Sequence, residues 1–117
     1  MACSALACGA SECPQFTVCR NKNPHTRSAV PFLLDIQNDL LDGLETRVVV
    51  PLRPLSAMKG QAVRGLMPIL EIGGERFVML TPELAGIPKS ELGEPVTCVE
   101  QHRFDIIAAV DFLLTGI

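Results

Sequence analysis

Asp35, Asp39 and Asp42 lie three to four residues apart and could offer three carboxylates to a divalent cation. Asp35, however, falls inside an apolar run, and the residues around the other two lack the glycine-containing order of a calcium loop. Solvated loop acids are therefore the expectation, and no metal ligand is assigned. His25 and His102 could each move a proton, but the sequence sets no partner beside either one. His25 sits in the loop "NKNPHT" and His102 next to Arg103. Cys3, Cys8, Cys13 and Cys19 are separated by four, four and five residues, unlike the Cys-x-x-Cys pairs of zinc sites. With Cys98 they make an odd count, so the expectation is reduced thiols rather than a disulfide framework. No Gly-x-Ser-x-Gly, phosphate-binding loop or His-Glu-x-x-His occurs. The pair in "IGGERF" is flanked by strand-like residues and fits a hairpin turn. The sequence assigns no catalytic residue and no cofactor.

The elements that would carry these residues are mostly strands. "QFTVCR" alternates as a first strand, and "VPFLLDIQ" is an apolar second strand buried on much of both faces. "NDLLDGLE" is a loop that sets Leu40 and Leu41 between acids. "TRVVVPL" is a β-branched third strand that Pro51 should close, and "RPLSAMKGQAVRG" is irregular with a single helical turn. "MPILEI" and "ERFVML" are two strands joined by Gly73-Gly74, a pair that tolerates positive φ at both positions. "TPELAGIPKSELGEP" reads as a short helical turn and loop, and "VTCV" as a last short strand. From Glu100 onward the chain is helical, and Gly116 occupies the place of a C-terminal cap. The sum is a mainly β domain: a small antiparallel, partly open barrel with one C-terminal helix. No internal repeat or low-complexity run interrupts it.

Composition bears on partners. The 117 residues make one domain, with residues 1–14 expected to be a flexible extension of small residues before a domain at 15–117. Hydrophobic residues make up 48% of the chain, more than a domain of this size buries easily, so a homodimer is expected. The final helix is apolar around most of its circumference, with Ile106, Val110 and Leu113 forming the stripe assigned to the dimer interface. A formal charge of −3 argues against direct nucleic-acid binding. No run approaches the roughly 20 apolar residues that cross a bilayer, so no membrane partner is expected. The N-terminus lacks the form of a signal peptide, which predicts a cytoplasmic protein.

The stretches "PFLLDIQNDLLDGLETRVVVPL" and "LMPILEIGGERFVMLTPELAGIPKSELGEPV", with the terminal helix ending in "GI", resemble the CcdB toxins of toxin–antitoxin modules. The resemblance runs from Gln15 to Ile117 and is ungapped from Leu33, with one short insertion in "NKNPHT". It implies a homodimer with the SH3-like, partly open barrel that CcdB and MazF toxins share. It also implies a non-enzymatic toxin that binds the DNA gyrase A subunit, traps gyrase on cleaved DNA, and is neutralised by a cognate CcdA-like antitoxin. The family's gyrase contact is a terminal Trp-Gly-Ile together with an apolar pair after the second strand. On that pattern Gly116 and Ile117 match, Leu40 and Leu41 match the apolar pair, and Leu114 matches an aromatic position. Thr115 stands where the family has tryptophan. Loss of a buried aromatic anchor costs roughly 2–4 kcal/mol, or about 30- to 1000-fold in affinity.

Two other functions fit parts of the sequence. An inactive or retargeted relative that keeps antitoxin binding would account for Thr115. A MazF-like endoribonuclease would need an acid–base pair and cations around a phosphorane, for which Arg20, His25, Arg27 and Arg47 are the available set.

Overall fold

The computed structural model describes residues 15–41 and 43–116. Residues 1–14, and with them the expected N-terminal extension, lie outside the described residues, as do Asp42 and Ile117.

Seven strands form one antiparallel sheet: β1 (Thr17–Asn21), β2 (Phe32–Asp35), β3 (Thr46–Pro54), β4 (Ile69–Ile72), β5 (Glu75–Met79), β6 (Ala85–Pro88) and β7 (Leu92–Cys98). One α-helix among the described residues, α1 (Arg103–Thr115), follows. The strand order is β4-β5-β3-β2-β1-β7, with β6 also paired to β3, and the sheet curls into a half-barrel. The mainly β architecture with a terminal helix is thus as expected.

β3 organises the sheet. One edge pairs with β2, from Phe32↔Leu52 to Asp35↔Val49. The other edge pairs first with β6, Thr46↔Pro88 to Val49↔Ala85, and then with β5, Leu52↔Met79 to Pro54↔Phe77. Pro51 therefore lies within the strand and does not close it. Its carbonyl accepts the Leu80 N–H at 2.9 Å, at the point where β3 changes partner. A strand residue directs N–H and C=O to the same side, so the missing N–H falls at a break in the ladder, where proline is tolerated. Two further expectations are corrected. "LAGIP" is a strand, β6, because the first half of β3 needs a partner on that edge. The last strand begins at Leu92, well before "VTCV".

The hairpin β4–β5 turns at Gly73 and Gly74 with φ of 61° and 83°, which matches the two-glycine reading. β4 alternates cleanly, Leu70 and Ile72 inward and Ile69 and Glu71 outward. The main core gathers Val18, Leu34, Val50, Leu52, Leu70 and Met79, all fully buried, with Phe77 and Ile72 beside them. α1 closes it with Ile106 and Ala109, both at 0% exposure. Burying one such isoleucine contributes about 1.5–3 kcal/mol. The helix ends at Gly116, whose φ of 76° lets its N–H reach the Phe112 carbonyl at 2.8 Å.

Candidate functional site

The turn between β2 and β3 displays its leucines to solvent. Leu40 is 90% exposed, and Leu41 and Leu44 are 50% exposed each. Asp39–Leu41 form one short 3-10 turn, started by Asn38, whose Oδ1 accepts the Leu40 N–H at 2.7 Å. Exposed leucine gains nothing for the fold, so the question is what holds this turn in shape.

The answer is a buried polar frame beneath it. Asp35 at the end of β2 and Arg47 at the start of β3 face each other with side chains 0% and 2% exposed. Arg47 Nε donates to Asp35 Oδ2 at 2.8 Å, and Arg47 Nη2 donates to Asp35 Oδ1 at 3.0 Å, a two-pronged pairing. The same Nη2 reaches the Gln37 carbonyl at 3.2 Å and Asp39 Oδ1 at 3.5 Å. Asp35 Oδ1 also accepts the Gln37 N–H at 3.0 Å. Burial pushes the Asp35 carboxyl above its ordinary value of 3.8, against the hydrogen bonds and charge of Arg47. Burial also pulls on the Arg47 guanidinium, but the hydrogen bond and charge of Asp35 lift it above its ordinary value.

Gln37, itself buried, spans the mouth of the turn. Its Oε1 accepts the Val48 N–H at 3.0 Å and its Nε2 donates to the Leu41 carbonyl at 3.1 Å. Gln15 adds two ties from the chain preceding β1. Its N–H donates to Asp39 Oδ1 at 2.9 Å and its Nε2 to the Ile36 carbonyl at 3.1 Å. Phe16 then carries φ of 67°, an uncommon conformation for a phenylalanine. It is held there by its N–H to the Asp35 carbonyl, 2.6 Å, and by Val99 donating to its own carbonyl, 2.8 Å. The turn is thus pinned from both flanking strands and from β1.

Asp35, expected inside the second strand and given no partner there, is the buried centre of this frame. Asp39 is exposed but bonded to Gln15 and Arg47, and Asp42 lies outside the described residues. Sequence reasoning missed Gln37 and the structural roles of Asp35 and Arg47. It also missed Leu44, although that residue shares the acid-flanked pattern that identified Leu40 and Leu41. No group of three His, Cys, Asp or Glu among the described residues is placed to hold a metal ion. Of the ribonuclease set, Arg47 is committed to Asp35 beneath the surface, while Arg20 at the end of β1 and His25 and Arg27 in the β1–β2 loop are exposed at the far end of β2. Cys98 is buried, and burial pushes its thiol up, away from the reactive thiolate form. Cys19 is disulfide-bonded, which corrects the expectation of reduced thiols at that position.

At the other end of the chain, α1 exposes Phe104 (83%), Leu114 (72%), Ile107 and Phe112. Thr115 and Gly116 are exposed too, while Ile117 is outside the described residues. The Thr115 hydroxyl donates to the Asp111 carbonyl at 2.7 Å, so it bonds back onto the helix. Of the stripe assigned to a dimer interface, Val110 and Leu113 are half-buried. Ile106 is wholly enclosed in the core of its own chain and has no surface left for a second copy. The helix's main partners within the chain are the 3-10 turn at Thr81–Glu83 and its own leading turn at Glu100–His102, not the leucine turn. One chain therefore presents two apolar surfaces, one on the β2–β3 turn and one on the helix. Among the described residues, no helix is long and apolar enough to cross a membrane. Residues 15–116 match the family model described as "CcdB: CcdB protein".

Proposed function

The chain belongs to the CcdB family, a family of toxins from toxin–antitoxin systems, and on that premise we propose that it binds the DNA gyrase A subunit and traps gyrase on cleaved DNA. The observation that carries the proposal is Leu40, 90% exposed on a turn tied by hydrogen bonds to the buried Asp35–Arg47 pair and Gln37. Ties that hold the turn in shape lower the ordering cost of binding, and an exposed leucine there offers apolar area that a partner can bury. Leu41, Leu44, Leu114, Thr115, Gly116 and Ile117 complete the proposed contact. The protein acts by occupying gyrase and performs no bond chemistry of its own.

Family membership implies an antitoxin partner. The proposed cognate antitoxin is CcdA-like and reverses the gyrase contact. A homodimer is part of the same proposal. Its interface draws on the exposed helix residues Phe104, Ile107 and Phe112, with Val110 and Leu113 at the margin, since Ile106 serves the internal core. The proposed site of action is the cytoplasm.

Thr115 favours a second reading, in which the fold is kept but the gyrase contact is weakened or redirected. Its hydroxyl is turned onto Asp111, so it supplies hydrogen-bond closure of the helix where an aromatic ring would supply contact area. The two readings separate in a supercoiled-plasmid cleavage assay with purified gyrase and ATP, comparing the natural chain, Thr115→Trp, and a chain lacking Gly116 and Ile117. Linear DNA with the natural chain, lost on truncation, supports gyrase poisoning. Linear DNA with Thr115→Trp alone supports the weakened contact, and its absence from all three removes gyrase as the target.

A further inference from the structure

At the opposite end of β2 from the leucine turn, a pocket of about 450 Å³ opens between the β1–β2 loop and β7, lined by Arg20, Asn21, Lys22, Arg27, Gly93 and Glu94, with Pro31 as an apolar wall. We propose that it binds a phosphate monoester dianion. Three cationic residues line the pocket with one carboxylate, Glu94, and Glu91 lines the adjoining pocket that shares Lys22, so the surroundings are net positive in a chain whose formal charge is −3. A phosphate monoester carries close to two negative charges at neutral pH and offers three acceptor oxygens, which suits two arginine forks and a lysine.

The pocket is built rather than incidental to a mobile loop. Asn21 is buried, and its Nδ2 donates to Thr26 Oγ1 at 3.0 Å and to the Val30 carbonyl at 2.8 Å. Its Oδ1 accepts the Asn23 N–H at 3.0 Å. The Arg27 N–H reaches the Asn23 carbonyl at 2.9 Å, which fixes the segment carrying that arginine. Lys22 Nζ donates to the Ser90 carbonyl at 2.8 Å, and the Arg20 guanidinium lies 6.0 Å over the Phe32 ring. The floor depends on Gly93. A Cβ there would sit 2.8 Å from the Arg20 carbonyl oxygen and 2.9 Å from the Arg20 Cβ, so only glycine lets β7 approach β1 this closely. The volume falls within the range of small-molecule sites and exceeds a phosphate group, leaving room for the organic part of an ester.

The test is a titration of the isotope-labelled full chain with AMP, inorganic phosphate and adenosine in low-chloride buffer, followed by backbone amide shifts. AMP and phosphate should shift amides within residues 20–31 and 90–94 and saturate, while adenosine leaves them unmoved. Tighter binding of AMP than of phosphate assigns the ligand to nucleotide-like esters, and equal binding assigns it to free phosphate. Arg27→Gln, an exposed substitution that spares the core, should weaken AMP binding at least about tenfold. The proposal is overturned if adenosine matches AMP, if no amide in these segments responds to phosphate, or if Arg27→Gln binds AMP as the natural chain does.

Discussion

Replacing Arg47 by methionine removes the cation while leaving Asp35 buried. The carboxylate then loses two hydrogen bonds, 2.8 Å and 3.0 Å long, and keeps only the Gln37 N–H. Charge-assisted bonds contribute roughly 1.5–3 kcal/mol each, and breaking a buried pair costs about 3–5 kcal/mol overall. For a domain of this size that corresponds to a fall of roughly 12–20 °C in melting temperature, or a large part of a total stability of about 5–15 kcal/mol. Asp35→Leu combined with Arg47→Met takes away both charges. It should recover most of the loss and come within about 2 kcal/mol of the natural chain, the remainder being the unpaired Gln37 N–H and carbonyl. Urea denaturation of the natural chain, both single variants and the double variant gives the coupling directly. A cost below about 1 kcal/mol for Arg47→Met, or a double variant that loses the sum of the singles, would refute the reasoning that this pair is dry and mutually dependent.

Three more predictions rest on separate features. Gln37→Ala removes the tie from Val48 to Leu41 and should cost about 1–3 kcal/mol, with hydrogen exchange accelerating first at residues 37–48. Gly74→Ala forces a Cβ into φ of 83° and should cost about 1–2 kcal/mol in thermal unfolding, although nothing lies within 4 Å to clash. The pH dependence follows from Asp35. A carboxyl whose folded pKa lies above the ordinary 3.8 binds its proton more tightly in the folded state, so its contribution to stability grows as pH falls through the folded pKa and is lost as pH rises through it. Relative to Asp35→Asn, the natural chain should therefore gain stability as pH is lowered towards 3.8, and denaturation series at stepped pH check the sign.

The legible parts of the fold were those in which local pattern and tertiary demand agree. "EIGGERF" is a hairpin by turn chemistry alone, and the α1 glycine cap is where helix grammar puts it. β6 was illegible because Ala85-Gly86-Ile87-Pro88 has no alternation and poor β-propensity. It is a strand because β3 offers an open edge from Thr46 to Val49. Pro51 misled for a related reason: whether a proline ends a strand depends on which neighbour its nitrogen faces, which a single chain segment does not encode. In the candidate site, the exposure of Leu40 and Leu41 was legible from the acids around them. The frame under them was not, since Asp35 and Arg47 are of types that are usually solvated, and only the β2–β3 register brings them together. On the helix, Ile106 and Ala109 are the residues buried within one chain, and the rest of its apolar circumference is left to the proposed second copy.

The central claim is that the leucine turn is a protein-binding surface and not a feature of the fold. Binding of the purified gyrase A subunit to the natural chain and to Leu40→Glu, measured by calorimetry beside their melting curves, tests it most directly. The unfolding midpoints should agree closely, because an exposed substitution moves stability by only about 0.5 kcal/mol, while affinity should fall roughly 30-fold or more. Equal binding by both proteins, or no binding by the natural chain, would contradict it.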